Sequence, residues 1–334
     1  MSFSIRNLLR HGSAEVLASG DNRRLAQELV DRGIATETAG STGEALQYYR
    51  KAVEADYRFA PAHMNLGIAL QAAGEATAAI ESYKRAIAAD PEYAAAYYNL
   101  ALTHLLRSQY SEAEINFRTA LRFRGDFPEA WVGLAGALES LGRDEDALAA
   151  LDKAIALRSD YVGALLNSSA LLQKMGRFET AVAASRRALE LEPDNYAAQH
   201  RLGIILHDLG RLPEAETRYR RALALKPDYP QAKINLALVL QANGRTLEAI
   251  PLLFESVANE PTNTRLRRIL SEALHGVALT RAGEKEPRTY IATAPPTPTA
   301  RLNATTSPSA SRGRPVIHDH GRSRNGCRGS PWSM

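Results

Sequence analysis

The chain has one cysteine, Cys327, so no intrachain disulfide can form, which suits a reducing compartment. It lacks any apolar run approaching the roughly 20 residues that a membrane-spanning helix needs. The first twenty residues carry Phe3, Ile5, Leu8, Leu9, Val16 and Leu17, interrupted by Arg6 and Arg10, and so lack the unbroken apolar centre of a secretory signal. They read either as a short N-terminal capping helix or as a presequence of mitochondrial type. A cytoplasmic location with no membrane partner is the expectation. Sequence signatures of catalysis are missing as well: there is no P-loop, no G-x-S-x-G, no H-E-x-x-H and no G-x-G-x-x-G after a strand. The chain is therefore expected not to be an enzyme and to need no cofactor.

An excess of one charge is also missing, except at one end. From Ala282 onward eight basic residues face three acidic ones, a net of +5. Against +4 for the whole chain, the first 281 residues carry −1, so nothing in the charge balance argues that they bind nucleic acid. The basic end is rich in Pro, Ser, Thr and Arg and poor in large aliphatics, and residues 285–334 are expected to be disordered. This stretch is either an ordinary basic tail or the replacement of a further domain.

What the sequence has is a repeat of 34 residues, written seven times between Ala26 and Asn263. Alanine recurs at Ala45, Ala79, Ala113, Ala147, Ala181, Ala215 and Ala249, and seven residues later at Ala52, Ala86, Ala120, Ala154, Ala188, Ala222 and Ser256. With Ala26, Ala60, Ala94, Pro128, Val162, Tyr196 and Pro230 as position 1 of each unit, these columns are positions 20 and 27. Position 8 holds only Gly33, Gly67, Ala101, Ala135, Ser169, Gly203 and Ala237. Position 15 is Gly40, Gly74, Ser108, Gly142, Gly176, Gly210 and Gly244, where a helix should end in left-handed backbone. Position 32 is proline in Pro91, Pro193, Pro227 and Pro261, which stops a second helix.

Two segments of about a dozen residues lie between these marks, each long enough for a helix of three turns. Positions 20 and 27 share one face of the second helix, where small residues let it cross the first closely. Position 24 supplies bulk in Tyr49, Tyr83, Phe117, Leu151, Tyr219 and Leu253, with Ser185 as the exception. A fixed period of this kind means stacked helical hairpins, none able to bury its apolar face alone. After Pro261 the apolar spacing of Leu266, Ile269, Leu270, Leu274 and Val277 predicts a final helix covering the last hairpin.

The run Leu66-Gly67, Gly74, Ala79, Tyr83, Ala86, Pro91 resembles the tetratricopeptide repeat, and the likeness extends over about 240 residues. It implies an all-α chain: a right-handed α-solenoid of seven 34-residue helical hairpins plus a C-terminal capping helix. The implied layout is an N-terminal helix or cap over 1–25, repeats over 26–263, the capping helix over 264–284 and the tail over 285–334. The fifth unit departs from the pattern with Ser168, Ser169 and Ser185. The first does so with Arg32 and Tyr57, so these two are expected to be the weakest links.

Positions 2, 5, 6, 9, 12 and 13 form one stripe on the first helices. Position 6 is Asn65, Asn99, Asn167 and Asn235, interrupted by Asp31, Gly133 and Arg201. Asparagine is a mediocre helix former, and its amide both donates to and accepts from an extended peptide backbone. The column resembles the asparagine ladder lining the repeats of O-linked N-acetylglucosamine transferases. Gln71, Gln173, His207 and Gln241 at position 12 join it, and Tyr98 with Leu105 and Leu106 forms a candidate apolar anchor. Lys174 and Arg201 fall on adjacent units, without the rest of a clamp for a C-terminal carboxylate. No metal site is expected: His200 and His207 lie about two turns apart on one helix, and His318-Asp319-His320 sits in the tail.

The expected activity is capture of extended peptide or protein segments on the concave face, with partner and oligomeric state undetermined. A second reading makes the repeats the substrate-recognition portion of a bacterial-type glycosyl-, methyl- or sulfotransferase whose catalytic domain is lost or lies on another chain.

Overall fold

A computed structural model describes residues 4–281, with side chains over residues 20–278. The expectations for residues 282–334, including Cys327 and His318 to His320, lie outside the described residues. Every element among those described is an α-helix, and the chain divides into two compact units that meet in sequence at Leu141 and Gly142.

The first unit holds α1 (Ser4–Thr38), α2 (Thr42–Ala55), α3 (Ala60–Ala72), α4 (Ala76–Ala89), α5 (Ala94–Leu106), α6 (Tyr110–Phe123) and α7 (Pro128–Ser140). Each helix packs on the next, and the first helices α1, α3, α5 and α7 also touch in succession. No break separates residues 4–25 from the first repeat, because α1 runs through both. The second unit holds α8 (Asp144–Leu157), α9 (Val162–Lys174), α10 (Phe178–Leu191), α11 (Tyr196–Asp208), α12 (Leu212–Leu225), α13 (Pro230–Ala242), α14 (Thr246–Asn259) and α15 (Thr264–Arg281). It follows the same packing rule, and α15 lies on α14.

Position 15 acts as the sequence predicts. All six glycines have φ between 73° and 87°, and Ser108 has φ 58°. The second repeat shows the motif: Glu75 N–H bonds to Leu70 O at 2.9 Å and Gly74 N–H to Gln71 O at 3.1 Å, satisfying carbonyls that the ended helix leaves open. Ser108 makes the same pair of bonds through Ser108 N–H to Leu105 O and Gln109 N–H to His104 O, but with a Cβ in left-handed backbone.

The alanines of positions 20 and 27 are inaccessible to solvent, and Ser256 returns its hydroxyl to Leu252 O at 2.7 Å. Position 8 is small for a more specific reason than close backbone approach. In three repeats a tyrosine ring from position 24 occupies the space where a Cβ would stand. A Cβ on Gly67 would lie 2.5 Å from Tyr83 Cε1 and one on Gly203 2.6 Å from Tyr219 Cε1, and Gly33 meets Tyr49 likewise. Where position 8 is Ala237, position 24 is Leu253; where it is Ser169, position 24 is Ser185, and the two hydroxyls bond at 2.5 Å. Phe117, opposite Ala101, presses instead over Gly133 of α7. The hairpin crossing is a matched pair, ring against missing Cβ or small against medium.

Two outcomes are expected for stability. Gly67→Ala should destabilise by about 1–3 kcal/mol through overpacking, despite the gain of about 1 kcal/mol that alanine brings to a helix. Tyr83→Leu added to it should recover part of the loss, so a double-mutant cycle by urea unfolding should show favourable coupling, and simple additivity would exclude the pairing. Ser108→Gly should raise stability by about 1 kcal/mol, measured as a higher melting temperature.

Candidate functional site

Depth divides the residues of the first-helix stripe. Asn65 is inaccessible, and its amide nitrogen donates to Pro61 O at 2.9 Å. Asn99 is buried likewise, donating to Ala95 O at 3.0 Å. Both amides return to the preceding turn of their own helix, a local bond that asparagine favours. Asn235 is buried and donates to His200 Nε2 at 2.9 Å, tying α13 to α11. Asn167 alone of the four is exposed. The asparagine column is thus one register with three environments.

The glutamines of position 12 are half-buried. Gln71 Oε1 accepts from the Tyr83 hydroxyl at 3.0 Å and the Thr103 hydroxyl at 2.9 Å, joining α3 to α4 and α5. Gln173 Nε2 donates to Asp208 Oδ2 at 2.5 Å, joining α9 to α11. Gln241, Arg201 and His207 are half-buried. Tyr98 is 4% exposed, held between Phe117 and Phe127 with ring centroids 5.9 and 4.7 Å away. It forms floor rather than pocket wall, whereas Leu106 is 51% exposed.

A cluster that the sequence does not announce surrounds His200, which is 3% exposed. Its ring lies 4.8 Å from Tyr229 and 5.7 Å from Tyr219. With Nε2 accepting from Asn235, Nδ1 carries the proton and donates to the Tyr229 hydroxyl at 3.0 Å. Burial, helped by the nearby charge of Arg201, pushes the imidazole down to about 4. Both ring nitrogens are engaged, so His200 has no lone pair to offer a metal. Among the described residues no group of three or more His, Cys, Asp or Glu is placed to hold a metal ion.

The linkers show a second regularity. At positions 31 and 34, Arg124 lies 3.4 Å over the Phe127 ring, Arg158 4.6 Å over Tyr161 and Lys226 5.6 Å over Tyr229. Where position 31 is acidic in the second unit, position 34 is asparagine: Asn195 donates to Glu192 at 2.6 Å and Asn263 to Glu260 at 2.8 Å. Those asparagines also cap the next helix, accepting from Ala198 N–H at 2.9 Å and Leu266 N–H at 3.2 Å. Reading columns 31 and 34 as pairs would have found this.

Paired hairpins, left-handed turns at one register and small crossings are all in place, and the tetratricopeptide repeat model matches residues 30–94, 64–126, 107–162, 170–230 and 207–265. The chain belongs to the tetratricopeptide repeat family. No relative among the curated proteins matches its sequence. Of the solved structures, it is similar to the Cut9–Hcn1 assembly of the APC/C at 19% identity and a TM-score of 0.60, covering 72% of this chain and 48% of that one. A tetratricopeptide repeat protein from Parabacteroides merdae matches at 14% identity and a TM-score of 0.59, covering 75% and 99%. PilF of Pseudomonas aeruginosa matches at 20% identity and a TM-score of 0.57, covering 66% and 99%. At these identities the likeness is one of fold. No helix among the described residues is long and apolar enough to cross a membrane.

His200 gives this repeat protein a pH dependence. Its folded value lies below the ordinary histidine value, so the unfolded chain binds the extra proton and stability falls as pH drops from about 6.5 toward 4. Between pH 7 and 5 wild type should lose about 2 kcal/mol more than His200→Gln, measured by urea unfolding at each pH. Parallel losses in the two proteins would show that His200 is not the sensor.

Proposed function

We propose that the chain is a non-catalytic binding scaffold that holds extended peptide or protein segments on the first-helix faces of its repeats. The observation carrying this reading is Asn167, a poor helix former at a mid-helix position, exposed and outside the packing of the hairpin. Gln241, Arg201 and His207 stand half-open on neighbouring first helices of the same unit. Together they offer donors and acceptors to a main chain, a sequence-tolerant mode of capture. In the first unit Gln71 is half-open, with Leu106 as an exposed apolar contact. Asn65, Asn99, Asn235 and Tyr98 shape the floor beneath these contacts, and Gln173 stands at the edge of the stripe through its bond to Asp208. In this form the likeness to the asparagine ladder of O-linked N-acetylglucosamine transferases rests on Asn167.

Selection of peptides from a random display library on the full chain, followed by fluorescence polarisation, tests this. Asn167→Ala with Gln241→Ala should weaken a selected peptide about tenfold, roughly 1.4 kcal/mol, and leave stability within about 0.5 kcal/mol. Unchanged affinity in this double variant would remove the surface from consideration.

A further inference from the structure

The last helix repeats the register of a first helix and lacks what covers one. Counting 34 from Pro230 places Thr264 at position 1, where α15 begins as α9, α11 and α13 do. Its inward positions match theirs. Leu266 at position 3 is inaccessible, like Ala164, Ala198 and Ala232, and Ala273 at position 10 is 1% exposed, like Leu171 at 1% and Val239 at 0%. Leu270 at position 7 is also buried.

The side that a second helix would cover is open. Position 11 is Leu172 at 8%, Leu206 at 1% and Leu240 at 2% in the three preceding first helices, but Leu274 is 42% exposed. Position 8 is buried in Ser169, Gly203 and Ala237, and exposed in Ser271. Position 4 is buried in Leu165, Gln199 and Lys233, and exposed in Arg267. In the two preceding hairpins position 4 meets the second helix through polar bonds: Gln199 accepts from Arg218 at 3.3 Å, and Lys233 donates to Glu255 in a short ion pair.

We propose that α15 is the first half of an eighth hairpin and that its open side accepts an amphipathic helix of a partner protein, in the place of a second helix. The occupant carries small residues seven apart to cross α15 over Ser271, an apolar side chain against Leu274, and a carboxylate opposite Arg267 in the place of Glu255. Charge complementarity makes that helix acidic, since Arg267 is exposed on the open side with no carboxylate of the kind that Lys233 has, and the one acid of α15, Glu272, lies 3.6 Å from Arg268 instead. The residues after Arg281 do not carry that pattern in their sequence. Prolines interrupt them at 287, 295, 296, 298, 308, 315 and 331, and the one proline-free run of fourteen or more, residues 316–330, contains no alanine. The side lies apart from the stripe proposed above to hold extended peptides, so either site can fail without the other.

The probe is a synthetic helix copying Thr246–Asn259, whose Glu255 supplies the carboxylate, with its outward residues changed by Leu247→Gln, Pro251→Ala and Phe254→Gln. The full chain should bind it saturably and gain hydrogen-exchange protection over residues 264–278. Leu274→Asp should weaken binding at least tenfold. Arg267→Glu should do the same toward this peptide and regain affinity for the version carrying Glu255→Lys. Leu274 and Arg267 are exposed, so both variants should retain wild-type circular dichroism and melting. Absence of saturable binding, or affinity indifferent to both variants, overturns the proposal. So does a photo-crosslinker at Leu274 that, without peptide, captures residues 284–334 of the same chain or a second copy, since either occupant would hold the face itself.

Discussion

Outside the third, each hairpin depends on how one side chain from the second helix and one missing or minimal side chain from the first share the same space. Tyr49, Tyr83 and Tyr219 are inaccessible, and each lies where the Cβ of Gly33, Gly67 or Gly203 would be. A glycine inside a helix costs about 1 kcal/mol relative to alanine. That cost is offset by burying an aromatic ring against backbone at interior density. Repeats that give up the ring give up the glycine with it, as Ala237 with Leu253 and Ser169 with Ser185 show. The crossing also decides where polar groups go. In two of the three tyrosine repeats the hydroxyl reaches position 12, where Tyr49 donates to Glu37 at 2.7 Å and Tyr83 to Gln71, whereas the buried hydroxyl of Tyr219 makes no hydrogen bond among the described residues.

The linkers obey a pairing of their own. From the third linker onward, a cation at position 31 lies over an aromatic ring at position 34, or a carboxylate at 31 receives an asparagine amide from 34. Each pair closes the turn after a second helix and sets the start of the next first helix. In an array whose stability is a sum over neighbours, such local pairs make each link self-contained. The first linker varies the theme: Asp56 accepts from Arg23 Nε at 2.9 Å while that guanidinium lies 5.3 Å over Phe59.

Much of this was legible in the sequence, in proportion to how little each feature depends on a distant partner. The turn at position 15 needs only its own backbone, so six glycines and the outlier Ser108 could be read directly. The helical hairpins followed from the period. The small column at position 8 was legible as small, but its cause was not, because the ring filling the space is sixteen residues away and only some repeats carry it. The candidate site was the least legible. Helical geometry tells which way Asn65, Asn99 and Asn167 point, and all three point alike. It does not tell how deeply their surroundings cover them, and burial separates the first two from the third.

That difference decides which amides are accessible from solvent. Gln71 and Gln173 hold neighbouring helices together, and the second bonds to a carboxylate. A hydrogen bond to a charged group contributes about 1.5–3 kcal/mol, against about 1 kcal/mol for a neutral one. A neutral peptide backbone recruiting the Gln173 amide away from Asp208 would exchange the stronger bond for the weaker and loosen the link between α9 and α11. Recruiting Asn167 disturbs no packing within its hairpin. The polar residues of the first helices thus divide into those that the architecture already uses and those that it leaves exposed, and the boundary falls between residues of identical chemistry at identical register.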